Sequence, residues 1–129
     1  MEKDKMNKTL IAIDNRKGAT DINGTCLQGY VNCTYDDLLN TFGKPTVEGG
    51  METKIEVEWE LTFIHENYLA YKGSKEVATI YNWKNGIRYC GEEEGLEVKN
   101  IKQWHIGGHS QNAVNCVMKA LDKYLKGKK

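Results

Sequence analysis

Residues 55–63 read Ile-Glu-Val-Glu-Trp-Glu-Leu-Thr-Phe, and this stretch decides the fold class. Apolar side chains occupy every odd position and polar side chains every even position, which is typical of a strand with one buried and one solvated face. Three glutamates on the polar side argue against a strand that is covered on both faces. The stretch therefore predicts an antiparallel sheet with one wet face.

Further strands are predicted on both sides of this stretch. Thr9–Asp14 is a short β-branched run, and Thr25–Val31 is predicted to return along it as an N-terminal hairpin over residues 9–33. Glu76–Trp83 carries apolar side chains on both faces, which predicts a central strand. Residues 98–106 lead into a last strand, and their spacing also allows one helical turn first.

Two helices complete the predicted fold. The shorter one starts at the N-cap Thr34, with Asp37 positioned for a capping box, and ends at Gly43 before Pro45. The longer one is capped by Ser110. Its predicted apolar stripe consists of Val114, Val117, Met118, Leu121 and Leu125, with Tyr124 beside it. Together these elements predict an α+β fold: an antiparallel sheet of four to five strands with a short and a long helix packed on one face.

Length and composition exclude several classes of protein. The 129 residues predict a single domain, 1–129, in which residues 1–8 are frayed. Eighteen Lys and Arg residues balance eighteen Asp and Glu residues, so general nucleic-acid binding is not expected. No apolar run approaches the roughly 20 residues of a membrane span, and no signal peptide is recognisable. We therefore expect a cytoplasmic protein without a membrane partner.

The sequence lacks the motifs of common enzymes. Cys26, Cys33, Cys90 and Cys116 form no C-x-x-C pair and are interpreted as free thiols. His105 and His109 lack further ligands for a zinc site. No Walker A, G-x-S-x-G or G-x-G-x-x-G motif occurs. We therefore predict no metal site, no cofactor, no catalytic residues and no enzymatic activity.

The corner between the last strand and the long helix is the candidate site. Gly107 and Gly108 predict a two-glycine turn that lets the backbone approach a ligand closely. The first amides of the following helix, from Ser110 onward, suit an anion. His105 and His109 flank the turn, so the corner predicts a phosphate site.

Aromatic side chains near this corner predict a nucleotide pocket. A flat ring stacks on a base for about 1–3 kcal/mol, and Arg88 with the two histidines would receive phosphate. The predicted ligand-binding set is Tyr81, Trp83, Arg88, Tyr89, Trp104, His105, Gly107, Gly108, His109 and Ser110. Two interpretations without a binding role stay open: Trp83 and Trp104 are core residues, and the glycines form only a turn.

The acidic face of the central stretch has two interpretations. In the first interpretation, Glu56, Glu58 and Glu60 only form the solvent-exposed side of the sheet. In the second, their carboxylates bind a basic surface of a partner protein. A free strand edge can also pair across a two-fold axis, which predicts a homo-oligomer.

Four motifs carry a family resemblance: the residues 35–39 with 42–45 (YDDLL, FGKP), 57–63 (VEWELTF), 77–84 (VATIYNWK) and 104–108 (WHIGG). Together they resemble a family of small bacteriophage-encoded accessory proteins. The resemblance lies within a predicted core of residues 34–126 and leaves the N-terminal hairpin outside. It implies a counter-defence role in the infected bacterial host and assigns no catalytic residue.

The leading functional hypothesis is a counter-defence protein that binds and sequesters a nucleotide immune signal without cleaving it. The signal would be a cyclic dinucleotide or a cyclic ADP-ribose type molecule. One alternative is a direct protein inhibitor of a bacterial defence effector, in the manner of an anti-CRISPR. Another is a small nucleotide hydrolase.

Overall fold

A computed structural model describes residues 8–16, 18–48, 57–67, 74–82 and 98–127. In chain order the described elements are β1 Lys8–Asp14, β2 Cys26–Asn32, α1 Tyr35–Phe42, β3 Val47–Glu48, β4 Val57–Asn67, β5 Ser74–Tyr81, β6 Gln103–Gly108 and α2 Asn112–Gly127. A single 3-10 turn at Val98–Asn100 precedes β6. The predicted α+β fold is confirmed: an antiparallel sheet with a short and a long helix.

The strands lie in the order β1-β4-β5-β6-β2, and the two-residue β3 pairs with the start of β4. The prediction of a central strand is confirmed over residues 76–81, since β5 is the middle strand of this order; Trp83 lies outside the described residues. The longest strand, β4, is the one that contains the alternating stretch. Every described pairing is antiparallel.

The predicted N-terminal hairpin is wrong. β1 pairs with β4 and β2 pairs with β6, so the two strands lie at opposite edges of the sheet. The connection between them crosses the sheet, where the hydroxyls of Thr20 and Thr62 are hydrogen-bonded at 2.7 Å. Turn residues such as those between the two strands allow the chain to reverse, but they do not choose the strand it then pairs with.

The core lies between the sheet and the two helices. Val57, Trp59, Leu61 and Phe63 of β4 are all buried, which confirms the predicted apolar face, while Thr62 on the other face is also buried, against Thr20. The indole N–H of Trp59 donates to the carbonyl of Gly43 at 2.9 Å. Its large apolar ring is thus buried while its polar atom keeps a partner.

Helix α1 begins and ends as predicted. The Thr34 side chain accepts from the amide of Asp37, and the Asp37 carboxylate accepts from the amide of Thr34, each at 3.1 Å. Gly43 follows the helix with φ +85° and donates its amide to Leu39. A glycine is favoured here because other residues rarely adopt positive φ.

Helix α2 faces the sheet with smaller side chains than predicted. Ala113, Val117 and Leu121 are buried, whereas Met118 is 48% and Leu125 is 40% exposed. The buried stripe is therefore rotated from the predicted one. The assignment of Met118 and Leu125 to the buried stripe is wrong. A Cβ atom added to Gly108 of β6 would lie 2.4 Å from Cβ of Ala113, so the helix packs directly against the strand.

Candidate functional site

Four side chains form a row across the sheet surface opposite the helices, which we call the far face. Glu58 on β4 lies directly opposite Tyr81 on β5, Tyr81 opposite His105 on β6, and His105 opposite Tyr30 on β2. Directly opposite residues in neighbouring strands point to the same face, with Cβ atoms ~5 Å apart. The row therefore crosses four strands without a break.

Three rings of this row contact one another, and we call Tyr81, His105 and Tyr30 the ring row. The Tyr81 and His105 rings are stacked, with centroids 5.4 Å apart and planes 21° apart. Tyr30 meets His105 edge-on at 4.9 Å. Tyr30 is 50% exposed, so the outer end of the ring row offers an aromatic surface to a ligand.

The imidazole of His105 lies between two phenol rings. Burial lowers the pKa of His105, which favours the neutral ring near pH 7. Its Nδ1 atom is buried, and no hydrogen-bond partner for it lies among the residues that the structure describes. A neutral ring stacks well on a planar ligand and attracts phosphate less than a charged ring does; the phosphate role of this histidine stays a prediction.

Two carboxyl groups, Glu58 and Glu60, end the row on β4; we call them the carboxyl pair. Burial, the Glu60 charge and a hydrogen bond with the Glu60 side chain together raise the pKa of Glu58 to about 7. Burial, followed by the Glu58 charge, also raises the pKa of Tyr81. Near pH 7 the Glu58 carboxyl is therefore protonated in about half of the molecules, whereas an exposed glutamate is almost fully ionised.

The predicted two-glycine turn is wrong, because Gly107 and Gly108 both lie within β6. A Cβ atom on Gly107 would lie 2.6 Å from Oγ1 of Thr79 and 3.5 Å from Cε1 of Tyr81. On the opposite face, a Cβ atom on Gly108 would lie 2.4 Å from Cβ of Ala113. The glycines are therefore needed for close packing on both sides of the strand. The chain turns after them, at residues 109–111.

The start of α2 satisfies its own amides. The amide of Asn112 donates to Oγ of Ser110 at 3.2 Å, and Ala113 donates to the Ser110 carbonyl at 3.1 Å. This arrangement confirms Ser110 as a capping residue. His109 is exposed and lies beside Gly24 of the β1–β2 connection. The amides of Asn112 and Ala113 therefore have partners within the cap, and the phosphate role of this corner stays a prediction.

Trp104 is a core residue. It is 0% exposed, its ring is 5.7 Å from that of Trp59, and its indole N–H donates to the carbonyl of Cys33 at 3.1 Å. Of the two interpretations of this tryptophan, the structure supports the core one. Trp83, Arg88 and Tyr89 lie outside the described residues.

The structure thus brings together Tyr81 and His105 from the predicted set and adds Tyr30 and the carboxyl pair. The period-two pattern of β4 placed Glu58 and Glu60 on the wet face but did not connect them with the rings. The sequence did not predict Tyr30 as a site residue, because Tyr30 reaches His105 only through the pairing of β2 with β6, two segments that are far apart in the chain.

Metal and thiol chemistry find little support in the described part of the chain. No group of three His, Cys, Asp or Glu residues that could hold a metal ion occurs there. Cys26 and Cys33 are free thiols, as predicted. Burial, with the nearby Asp37 charge, raises the pKa of Cys33 to about 12, so this thiol is a poor nucleophile.

Comparisons of the chain with protein-family models, with curated proteins and with solved structures found no match. The resemblance to phage accessory proteins stays a prediction from the four sequence motifs. None of the described helices is long and apolar enough to span a lipid bilayer.

Proposed function

We propose that the protein binds a nucleotide immune signal through a base on the far face and sequesters it uncleaved. This is a counter-defence role in the cytoplasm of an infected bacterium. The observation that carries the proposal is the ring row of Tyr81, His105 and Tyr30, three contacting rings on the face that the helices leave uncovered. Stacking of a base on an aromatic side chain contributes about 1–3 kcal/mol.

The position of His109 fits a ligand larger than one base. It follows β6 directly and is exposed. At the usual rise per strand residue it lies ~13 Å from His105. A base at the ring row leaves a second base or a phosphate within reach of His109, which suits a cyclic dinucleotide or a cyclic ADP-ribose isomer.

Calorimetry and thermal-shift measurements with cyclic dinucleotides and cyclic ADP-ribose isomers test the proposal. We expect at least one of these compounds to stabilise the protein and to be recovered intact by chromatography. The absence of binding by every compound would refute the proposal. Recovery of a cleaved product would instead identify a hydrolase, for which the proton held by Glu58 provides a candidate acid.

A direct protein inhibitor is the second candidate. Met118 and Leu125 lie two turns apart on α2 and are both exposed, so the helix presents two apolar side chains to solvent. Such a pair suits a groove on a defence effector. This candidate predicts a stable complex on a sizing column that Met118→Ala with Leu125→Ala disrupts and that nucleotides do not affect.

We also propose that two copies assemble through β2. Cys26–Asn32 lies at a sheet edge and contains no charged residue, and Leu27 and Tyr30 on it are about half exposed. Charged side chains are a common means of preventing edge-to-edge pairing. Light scattering is expected to report a dimer for the natural chain and a monomer for Leu27→Lys.

A further inference from the structure

The backbone of β2 is bonded to β6 on one side and points to the edge of the described sheet on the other. The amide of Cys33 donates to the carbonyl of Lys102 at 3.0 Å, in register with the β2–β6 ladder. In an antiparallel ladder, residues that exchange backbone hydrogen bonds alternate with residues whose N–H and C=O groups point the other way. Val31 therefore bonds to β6, and the backbone groups of Tyr30 and Asn32 point to the outer edge.

The composition of this edge suits a second copy of the same strand. Residues 26–32 contain no charged side chain, so two copies that lie side by side meet no like-charge repulsion. The opposite edge strand, β1, carries Lys8 and Asp14. Leu27 and Tyr30, each about half exposed, add apolar surface for a partner to cover. The β2 edge therefore fits a second copy of this chain.

One register pairs all of the outward backbone groups of two such strands. It places Tyr30 of each copy opposite Asn32 of the other, with Val31 on the two-fold axis. Two strands joined edge to edge continue one sheet, so the far faces of both copies lie on the same side. The two Tyr30 side chains then occupy diagonal positions on that face, a separation that aromatic side chains span. The two ring rows thus meet across the axis.

The joined rows form a site that one chain does not complete. Tyr30 is the exposed end of the ring row in one copy, and in the pair it has the partner's Tyr30 as its neighbour. Resting on the proposed function, we infer that a second copy of the chain, paired through β2, contributes its Tyr30 to the ligand site. A ligand on the axis contacts both chains equally and excludes a second ligand. A cyclic dinucleotide of two identical nucleotides has the matching symmetry, so the site takes one such molecule for two chains.

Cross-linking of the full chain tests the pairing without a ligand. Tyr30→Cys in a Cys26→Ser background places two thiols across the axis, with Cβ atoms ~7 Å apart in the diagonal position. We expect a short bis-maleimide to produce a covalent dimer. Ala12→Cys in the same background is the matched control, since Ala12 is exposed on β1 at the opposite edge. Equal cross-linking at the two positions, or none at Tyr30→Cys, would overturn the pairing.

Calorimetry with cyclic di-AMP and cyclic di-GMP then tests the shared site. We expect one molecule of at least one of these compounds to bind per two natural chains. Leu27→Lys adds a charge to the pairing edge, and the resulting monomer should lose about tenfold in affinity because it lacks the partner's stacking surface. Ala12→Lys makes a comparable change at the opposite edge and should keep both the stoichiometry and the affinity.

The outcomes separate the shared site from nucleotide binding itself. One molecule per chain, with affinity unchanged in Leu27→Lys, would overturn the shared site while leaving the proposed function intact. Binding of the cyclic ADP-ribose isomers alone would overturn the choice of a two-fold symmetric ligand. A chain that cross-links through Tyr30→Cys and, in its natural form, binds none of these compounds would overturn the proposed function and the shared ligand site together.

Discussion

The rings of Tyr81 and His105 are stacked across two neighbouring strands, with centroids 5.4 Å and planes 21° apart. Gly107, two residues beyond His105, lies on the same face: a Cβ atom there would clash with Oγ1 of Thr79 at 2.6 Å and would be in ordinary contact with the Tyr81 ring at 3.5 Å. Burial in this row lowers the pKa of His105, which favours the neutral imidazole. A neutral aromatic surface between a carboxyl pair and an exposed tyrosine is better suited to a base than to a phosphate.

Tyr30→Ala should weaken ligand binding without unfolding the protein. The side chain is 50% exposed and forms the outer end of the ring row, so its loss removes stacking surface and little core packing. We expect an affinity loss of about tenfold, as expected for one stacking contact of 1–3 kcal/mol. Met118→Ala, which truncates a comparably exposed side chain on α2, is the calorimetric control. Equal losses in the two variants would argue against the ring row as the site.

Gly107→Ala should destabilise the fold by about 1–3 kcal/mol, the usual cost of an overpacked position. The new methyl group would lie 2.6 Å from Oγ1 of Thr79. Removing that atom in the double variant with Thr79→Ala should recover part of the loss. Urea unfolding of the two single variants and the double variant gives the coupling energy. Purely additive effects would contradict the close approach.

Glu58 should make stability depend on pH. Its folded-state pKa of about 7 lies above the ordinary value of 4.5. The unfolded chain therefore loses this proton first, and the Glu58 contribution to stability decreases as the pH rises from about 4.5 to 7. Because the side chain is partly solvated, we expect a change of about 1 kcal/mol. Glu58→Gln should match the natural protein at pH 4 and be more stable at pH 8, as measured by urea unfolding.

Thr34→Ala should cost about 1 kcal/mol, because it leaves the amide of Asp37 without its capping partner. Asn40→Ala is a comparison within the same helix, since the exposed Asn40 side chain donates only to the carbonyl of Asp36. Thermal unfolding should separate the two variants. A cap variant as stable as the comparison variant would show that α1 is held by packing alone.

The two thiols of Cys26 and Cys33 should differ in reactivity. Cys26 is exposed, whereas Cys33 is partly buried and its pKa is raised to about 12. At pH 8 an alkylating reagent should label Cys26 quickly and Cys33 only after denaturation, because the thiolate is the reactive form. Peptide mass spectrometry assigns the two sites. Rapid labelling of Cys33 in the folded protein would contradict its described environment.

The sequence alone determined the features that depend on neighbouring residues. The alternation in residues 57–63 identified the buried face of β4, and Thr34 with Asp37 identified the start of α1. The mixed faces of residues 76–83 identified a central strand. These features follow from side-chain period and capping chemistry, which act within a few residues.

The tertiary structure decided which strands are neighbours and, through them, the candidate site. β1 and β2 lie at opposite edges of the sheet. Gly107 and Gly108 lie within a strand and are packed on both faces, and Trp104 is buried in the core. Pairing is chosen by which apolar faces are buried together, and that depends on segments far apart in the chain. The row from Glu58 to Tyr30 exists only because β4, β5, β6 and β2 lie side by side in register.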